Sequence, residues 1–389
     1  MKCTLLRGFL VLLAVSECLL FVSASTKSRT PGSDFAILYA GARLVNENPL
    51  DLYNAQAQFK IEREVLHSEN WAARFLYPPF FALAISSLGR MNYVAAYWAW
   101  TGFTALLYLA SVLLLIREFR GNTVILALAA IGCPAFHWLI LAGQTTVIAL
   151  FIFVLIYIAI TRRLYFAAGA FIALLAYRPQ FMILIAPICL MKLPRSAFFG
   201  FVAMLFALFV AGMVGLSLDS YARYLALIRE MTDLLRLAIH PLGFFVSAYG
   251  LLRMLGSETL ANAASVGLAI LSGYWLFVQW PSERDVGGFA SWFASLIVAT
   301  LLTMSYSLIY DLLLIMVVIA LAPRSVLRGA QASALAFLYC APLFYLFLGS
   351  GAINLSPIAL GWLFITINRM RPSSYGGIQA EAHRPTGSS

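Results

Sequence analysis

A few short stretches of this chain carry side chains able to do chemistry. Asp34 follows Gly32-Ser33 and directly begins a segment of helical spacing. Its carboxylate can cap that helix, or it can act as a general base, since partial desolvation at a lipid–water boundary makes a carboxylate a better proton acceptor. In Tyr77-Pro78-Pro79-Phe80 two prolines are tolerated only in a first helical turn. The motif is either simple helix entry or a device that sets Tyr77 in an interfacial aromatic belt. Gly143-Gln144 separates two apolar runs so closely that Gln144 must lie at the membrane edge. Arg178, in Tyr177-Arg178-Pro179-Gln180, is a lone cation in a turn between spans. It either binds an anion such as phosphate or snorkels to lipid head groups. Asp311 follows Ser305-Tyr306-Ser307-Leu308-Ile309-Tyr310 and lies about one turn inside an apolar run, where an acid is either paired with a base or functional.

The elements that must position these groups are membrane helices. The 389 residues are 62% hydrophobic and 11% charged, with a mean hydropathy of +0.89. Ordinary globular chains are about half apolar and a quarter charged, so a soluble enzyme is excluded. The long apolar runs do not alternate, which excludes an outer-membrane barrel and leaves an all-α polytopic membrane protein. Spans are expected near 8–24, 92–116, 122–140, 144–160, 164–177, 180–191, 197–216, 259–280, 288–305, 308–322, 331–349 and 353–367, about twelve in all. The N-terminal run is taken as an uncleaved first helix. A signal peptide ending near Ser23-Ala24-Ser25 would leave an odd number of crossings.

Two further apolar pieces, Tyr77–Leu88 and Leu242–Leu255, are only about half a bilayer long. If both lie along the outer face, Arg117/Arg120, Arg162/Arg163 and Lys192/Arg195 fall on the cytoplasmic side. If both cross, all three pairs move outside, against the positive-inside rule. The interfacial arrangement is therefore expected, with both termini cytoplasmic and two large outer segments, 25–91 and 217–258. From Lys27 to Arg74 the first segment carries six bases and six acids. Within it Phe35, Leu38, Tyr39 and Ala42 have helical spacing, predicting an amphipathic helix on the outer surface. Residues 221–239 repeat the pattern, with Leu225, Ile228, Leu235 and Ile239 as the apolar face.

The formal charge of +10 is scattered singly and carries no nucleic-acid signature. Cys3, Cys18, Cys133, Cys189 and Cys340 have no C-x-x-C spacing, and His67, His137, His240 and His383 are dispersed, so neither a metal nor another cofactor is expected. The tail 371–389 has a disordered composition.

In order along the chain, Asp34-Phe35 with Tyr39, Pro49 with Leu52-Tyr53, Phe75-Leu76-Tyr77-Pro78-Pro79-Phe80, Gly143-Gln144, Arg178-Pro179-Gln180 and Tyr306 with Tyr310-Asp311 resemble glycosyltransferase family 87. The likeness runs from about Asp34 to Ala322. It departs from the family pattern at Arg178, often Lys, at Thr145, often Asn, and at Met304-Ser305-Tyr306, often Ser-Pro-Tyr. The resemblance implies a C-type glycosyltransferase architecture in one transmembrane domain, residues 1–370. It implies an inverting hexosyltransferase, mannosyltransferase-like, that uses a polyprenyl-phosphate sugar donor and a lipid or glycan acceptor in the extracytoplasmic face of the cell membrane. Asp34 is then the catalytic acid of the first outer loop. Arg178, Gln180 and Gln144 are expected at the donor phosphate, and Tyr39, Tyr77, Tyr310 and Asp311 at the substrates.

That chemistry needs an acceptor hydroxyl deprotonated and a leaving lipid phosphate stabilised, which one carboxylate and one or two cations can supply. A lipid-linked sugar flippase would show repeated halves and midplane ionisable residues. A polysaccharide polymerase or ligase would rely on an arginine-rich outer loop. A membrane scaffold leaves Arg178 and Asp311 without a purpose.

Overall fold

The computed structural model describes residues 7–8, 10–13, 15–16, 32–68, 73–118, 123–236, 242–282, 285–321, 329–348 and 352–369. Most of the expected first span and the whole 371–389 tail lie outside them. The described chain is helical throughout, and its only strand-like feature is a single bridge between Phe245 and Leu308.

Five helices among the described residues are long and apolar enough to cross a membrane. These are α4 (Tyr93–Glu118), the broken pair α5 (Thr123–Ile131) and α6 (Pro134–Ala142), α10 (Arg195–Gly215), α13 (Glu258–Val278) and α14 (Val286–Thr303). Pro134 opens α6 as its first residue, where a missing N–H does no harm. The other expected spans are α7 (Thr146–Thr161), α8 (Tyr165–Leu174), α9 (Met182–Lys192), α15 (Ile315–Leu321), α16 (Gly329–Leu348) and α17 (Ser356–Arg369), all shorter except the 20-residue α16. Single 3₁₀ turns extend α8 to Tyr177 and open the stretch into α9 at Pro179.

The two half-length apolar pieces hold only short helices. The first holds the six-residue α3 (Pro79–Ala84), about 9 Å long, and a 3₁₀ turn. The second holds the seven-residue α12 (Ala248–Met254). The helix predicted from Asp34 is α1 (Phe35–Glu47), but it does not lie on a surface. Phe35, Ala36, Leu38, Tyr39, Ala40, Gly41 and Ala42 are all buried, because the helix is wedged among α2 (Ala55–Leu66), α3 and α4.

The amphipathic helix of the second outer segment is α11 (Leu218–Arg236), and its inner face differs from expectation. Ser220, Tyr224 and Leu227 are buried while Leu225 is 57% exposed. At a membrane surface an apolar side chain is as well placed against lipid as against protein, so Leu225 turns outward. Tyr224, which packs on Tyr53 with ring centroids 5.6 Å apart, turns inward.

Burial is uneven across the bundle. α14 is buried along nearly its whole length, with Trp292 donating to the Leu276 carbonyl at 2.8 Å. α10 lies at the other extreme, with only Ala197, Gly200 and Gly212 buried. It is tied to α8 where a Cβ on Gly169 would overlap the Ala197 carbonyl and one on Gly200 the Phe166 carbonyl. Such backbone contact between small residues is how helices associate in lipid, where burial of apolar surface gives little drive.

The bundle has two distinct ends. At one, Arg162 meets Glu118 at 3.3 Å and the Lys192 ammonium lies over the Phe277 ring. At the other, the turns holding Asp34, Gln144, Arg178 and Asp311 converge.

Candidate active site

Glycine geometry and an aromatic face bring Asp34 and Gln144 together. Gly143 ends α6 with φ +78°, and its amide bonds back to Leu139 at 2.8 Å. A Cβ there would strike Phe35, so only glycine allows the start of α1 to seat on the Gly143 turn. Tyr93, Tyr97 and Trp100, one face of α4, fix both partners. Tyr93 donates to the Gly32 carbonyl at 2.6 Å, Tyr97 to the Ile140 carbonyl at 3.0 Å, and Trp100 to the Gly143 carbonyl at 3.1 Å.

Asp34 occupies the cap position of α1, yet its carboxylate makes no capping bond. Oδ2 accepts from the Gln144 side-chain amide at 2.5 Å, and Ser33 reaches Oδ1 only at 3.5 Å. The cap reading therefore falls, and the carboxylate faces a cleft.

A second constellation lies beside the first. Arg178 donates from Nη1 to Asp311 Oδ1 at 3.0 Å and to Thr146 Oγ1 at 3.1 Å, and from Nη2 to Asp311 Oδ2 at 3.5 Å. Thr146 donates to Asp311 Oδ1 at 2.5 Å, and the Leu308 backbone N–H donates to Oδ2 at 2.9 Å. The guanidinium also sits 4.9 Å above the Phe181 ring. Arg178 is 6% exposed and turned inward, so it does not snorkel. Its extended φ of −136° suits a residue that precedes proline and ends the 3₁₀ turn there.

The cleft has a cavity volume of about 210 Å³ and is lined by Asp34, Arg74, Tyr77, Gln144, Arg178, Gln180, Tyr306 and Tyr310, with Tyr224 and Ile228 of α11 along one wall. Tyr77 is placed by its hydroxyl contact with Thr145 Oγ1 at 3.2 Å and by the rings of Phe81 at 4.7 Å and Tyr177 at 6.4 Å, which also stack on each other.

Six of the eight expected site residues thus line one cleft: Asp34, Gln144, Arg178, Gln180, Tyr77 and Tyr310. Two do not. Tyr39 is buried in the Phe35–Tyr93 aromatic group and donates to the Met91 carbonyl at 2.8 Å, so its role is packing. Asp311 has no exposed surface and lies behind Arg178 as its counter-charge. Neither side chain is among those that line the cleft. Sequence reasoning missed Arg74, Tyr224 and Ser305 as cleft residues. Arg74 directly precedes the Phe75–Phe80 motif, which was the available signal. Tyr224 was hidden because tyrosine does not register in a purely aliphatic pattern.

Arg74 sits on a short extended stretch held by α2. Gln58 and Glu62 have no exposed surface. Gln58 accepts from the Phe75 N–H at 3.1 Å and donates to the Leu52 carbonyl, while Glu62 accepts from the Ala73 N–H at 3.0 Å. Burial pushes the Glu62 carboxyl up to about 7, against the opposing pull of the Ala73 amide, Arg63 and Arg74.

The model of one protein family, glycosyltransferase family 87, matches residues 75–305, more than half of the chain. The matched stretch takes in Tyr77, Gln144, Arg178 and Gln180 and leaves outside it Asp34, 41 residues before its start, and Asp311, six residues after its end. No curated protein and no solved structure matches the chain.

Proposed function

We propose, from the premise that the chain belongs to glycosyltransferase family 87 and is a membrane-bound glycosyltransferase, that it transfers a hexose from a polyprenyl-phosphate sugar to a lipid- or glycan-linked acceptor. Mannose is the hexose first to be tried, and the extracytoplasmic face of the cell membrane is the side on which transfer takes place. One observation carries this reading: a carboxylate and a guanidinium line the same cleft, and each is braced from behind, Asp34 by Gln144 and Arg178 by Asp311 and Thr146.

Transfer needs the acceptor hydroxyl to attack the anomeric carbon as the bond to the lipid phosphate oxygen breaks. Asp34 takes the hydroxyl proton, the new glycosidic bond forms on the opposite face of the sugar, and the configuration inverts. The departing polyprenyl phosphate gains negative charge, which Arg178 meets with preorganised N–H groups. Gln180 and Gln144 offer amides beside it, and Tyr77 and Tyr310 offer ring faces and hydroxyls to the sugar.

Helix lengths favour a lipid-borne donor. α7 has 16 residues and rises about 24 Å, and the Tyr165–Tyr177 stretch rises about 20 Å, whereas a bilayer core is about 30 Å thick. Helices this short leave part of the core thickness to the turns at their ends, and a polyprenyl chain lies at that depth. The positive-inside bias puts the cleft end outside the cytoplasm.

The test is transfer from radiolabelled polyprenyl-phosphate mannose, glucose and galactose in membranes containing the protein, with the anomeric configuration of the product determined. Product with inverted configuration from one of these donors is expected. Transfer only from a nucleotide sugar, or with retained configuration, overturns the reading.

A further inference from the structure

We propose that Arg74 is a second anion-holding group of the cleft, built to take the phosphate ester of a lipid-linked substrate. This rests on the transferase reading above and adds to it a residue and a division of labour. Arg178 directs its charge inward: Asp311 is in ion-pair contact at 3.0 Å, and the two together are neutral. An incoming phosphate meets there a dipole rather than a free charge.

Arg74 is differently placed. It lines the same cleft, and among the described residues no carboxylate lies within ion-pair distance of it. Nη2 donates to the Tyr53 carbonyl at 3.1 Å, while Nε, shielded from solvent, has no acceptor among the described residues. Burial also pulls its pKa below the ordinary arginine value, against the more distant pull of Glu230 and Glu62. A partly desolvated guanidinium with an unused donor gains from an anion that presents several acceptor oxygens.

The scaffold around it points the same way. Gln58 and Glu62 are four residues apart, on one face of α2, and they grip the backbone N–H groups on either side of Arg74, at Ala73 and Phe75. Burying an amide and a carboxyl is unfavourable unless they are bonded, and among the described residues Glu62 Oε1 has no partner. Apolar side chains would pack this stretch more cheaply. What the two polar groups add is a fixed position for the residue between them, which makes them positioning residues.

A phosphate ester on a lipid reaches the cleft from two sources, the polyprenyl-phosphate substrate or product and the anionic lipids of the bilayer. The experiment separates them with the purified full chain in detergent. Binding of a polyprenyl monophosphate is measured for wild type, Arg74→Lys and Arg74→Gln, with the matching polyprenol and phosphatidylglycerol as comparison ligands. Arg74→Gln should weaken monophosphate binding about 10- to 100-fold, with polyprenol binding unchanged. Arg74→Lys should fall between, because it keeps the charge without the fork. Phosphatidylglycerol should compete poorly.

Unchanged monophosphate binding in an Arg74→Gln protein whose thermal unfolding matches wild type overturns the proposal. So does equal competition by phosphatidylglycerol, which would assign Arg74 to bulk lipid. Should Arg74→Gln fail to fold, Arg74→Lys alone decides it, and wild-type affinity there counts against the proposal. The transferase reading fails separately: wild type would bind the monophosphate and yet move no sugar from any polyprenyl-phosphate donor.

Discussion

Asp34 and Asp311 are two acids at the same end of the bundle, and their surroundings are opposite. Asp311 has no exposed surface and accepts from Thr146, Arg178 and the Leu308 amide. Asp34 accepts one strong bond, from Gln144, and otherwise faces the cleft. A carboxylate whose lone pairs are all taken is a poor proton acceptor, whereas one with an open side is available to a hydroxyl. The difference separates the acid proposed as the base from one held as a brace.

The largest expected effect tests the open member of the pair. Asp34→Asn should lower sugar transfer about 10²- to 10⁴-fold while donor binding persists, measured at equal membrane abundance. The helix gives up no cap in this variant, since the carboxylate makes none. Near wild-type transfer would erase the contrast and reject Asp34 as the base.

The closed member should fail in stability first. Asp311→Asn leaves the Arg178 charge buried without its partner, an effect of about 3–5 kcal/mol that lowers the thermal midpoint in detergent. Replacing both, Arg178→Met with Asp311→Leu, should recover much of that stability and none of the transfer activity. Recovery of activity in the double variant would remove Arg178 from the donor site.

Glu62 extends the comparison to a third buried acid. Its folded-state pKa of about 7 lies above the ordinary value of 4.5, so its favourable contribution is complete below about pH 4.5. It is lost as pH rises through about 7. Thermal midpoints should decline between pH 5.5 and 8, and Glu62→Gln should flatten that slope. An unchanged slope in Glu62→Gln would assign the decline to other groups. The smallest effect belongs to Tyr39→Phe, which removes the bond to the Met91 carbonyl. A loss of about 1 kcal/mol in stability with unaltered KM values is expected, and a raised KM would return Tyr39 to the substrate site.

Much of this arrangement was legible in the amino-acid sequence, and the reasons for the remainder are physical. Apolar runs and charge bias gave the helical membrane class, and the ordered motifs gave Asp34, Tyr77, Gln144, Arg178, Gln180 and Tyr310 as neighbours. Asp311 was expected either to pair or to act, but a partner 133 positions away leaves no local trace. Tyr39 shares its helix face with Phe35, and spacing alone does not say which of two aromatic neighbours meets a cavity and which meets a wall. Arg74 belongs to a loop of balanced charge, where nothing in the composition sets one arginine apart.

The crossing of α8 and α10 at Gly169 and Gly200 has a consequence for how this protein tolerates substitution. Along α10 the sequence is almost uniformly apolar, and Phe199, Phe206 and Val214 are each more than 60% exposed. Such positions can drift among apolar side chains with little penalty. One methyl group at Gly200 would collide with backbone. A helix that looks monotonous therefore holds two classes of site, and a deep mutational scan of α10 should return a nearly flat profile broken by sharp intolerance at Gly200.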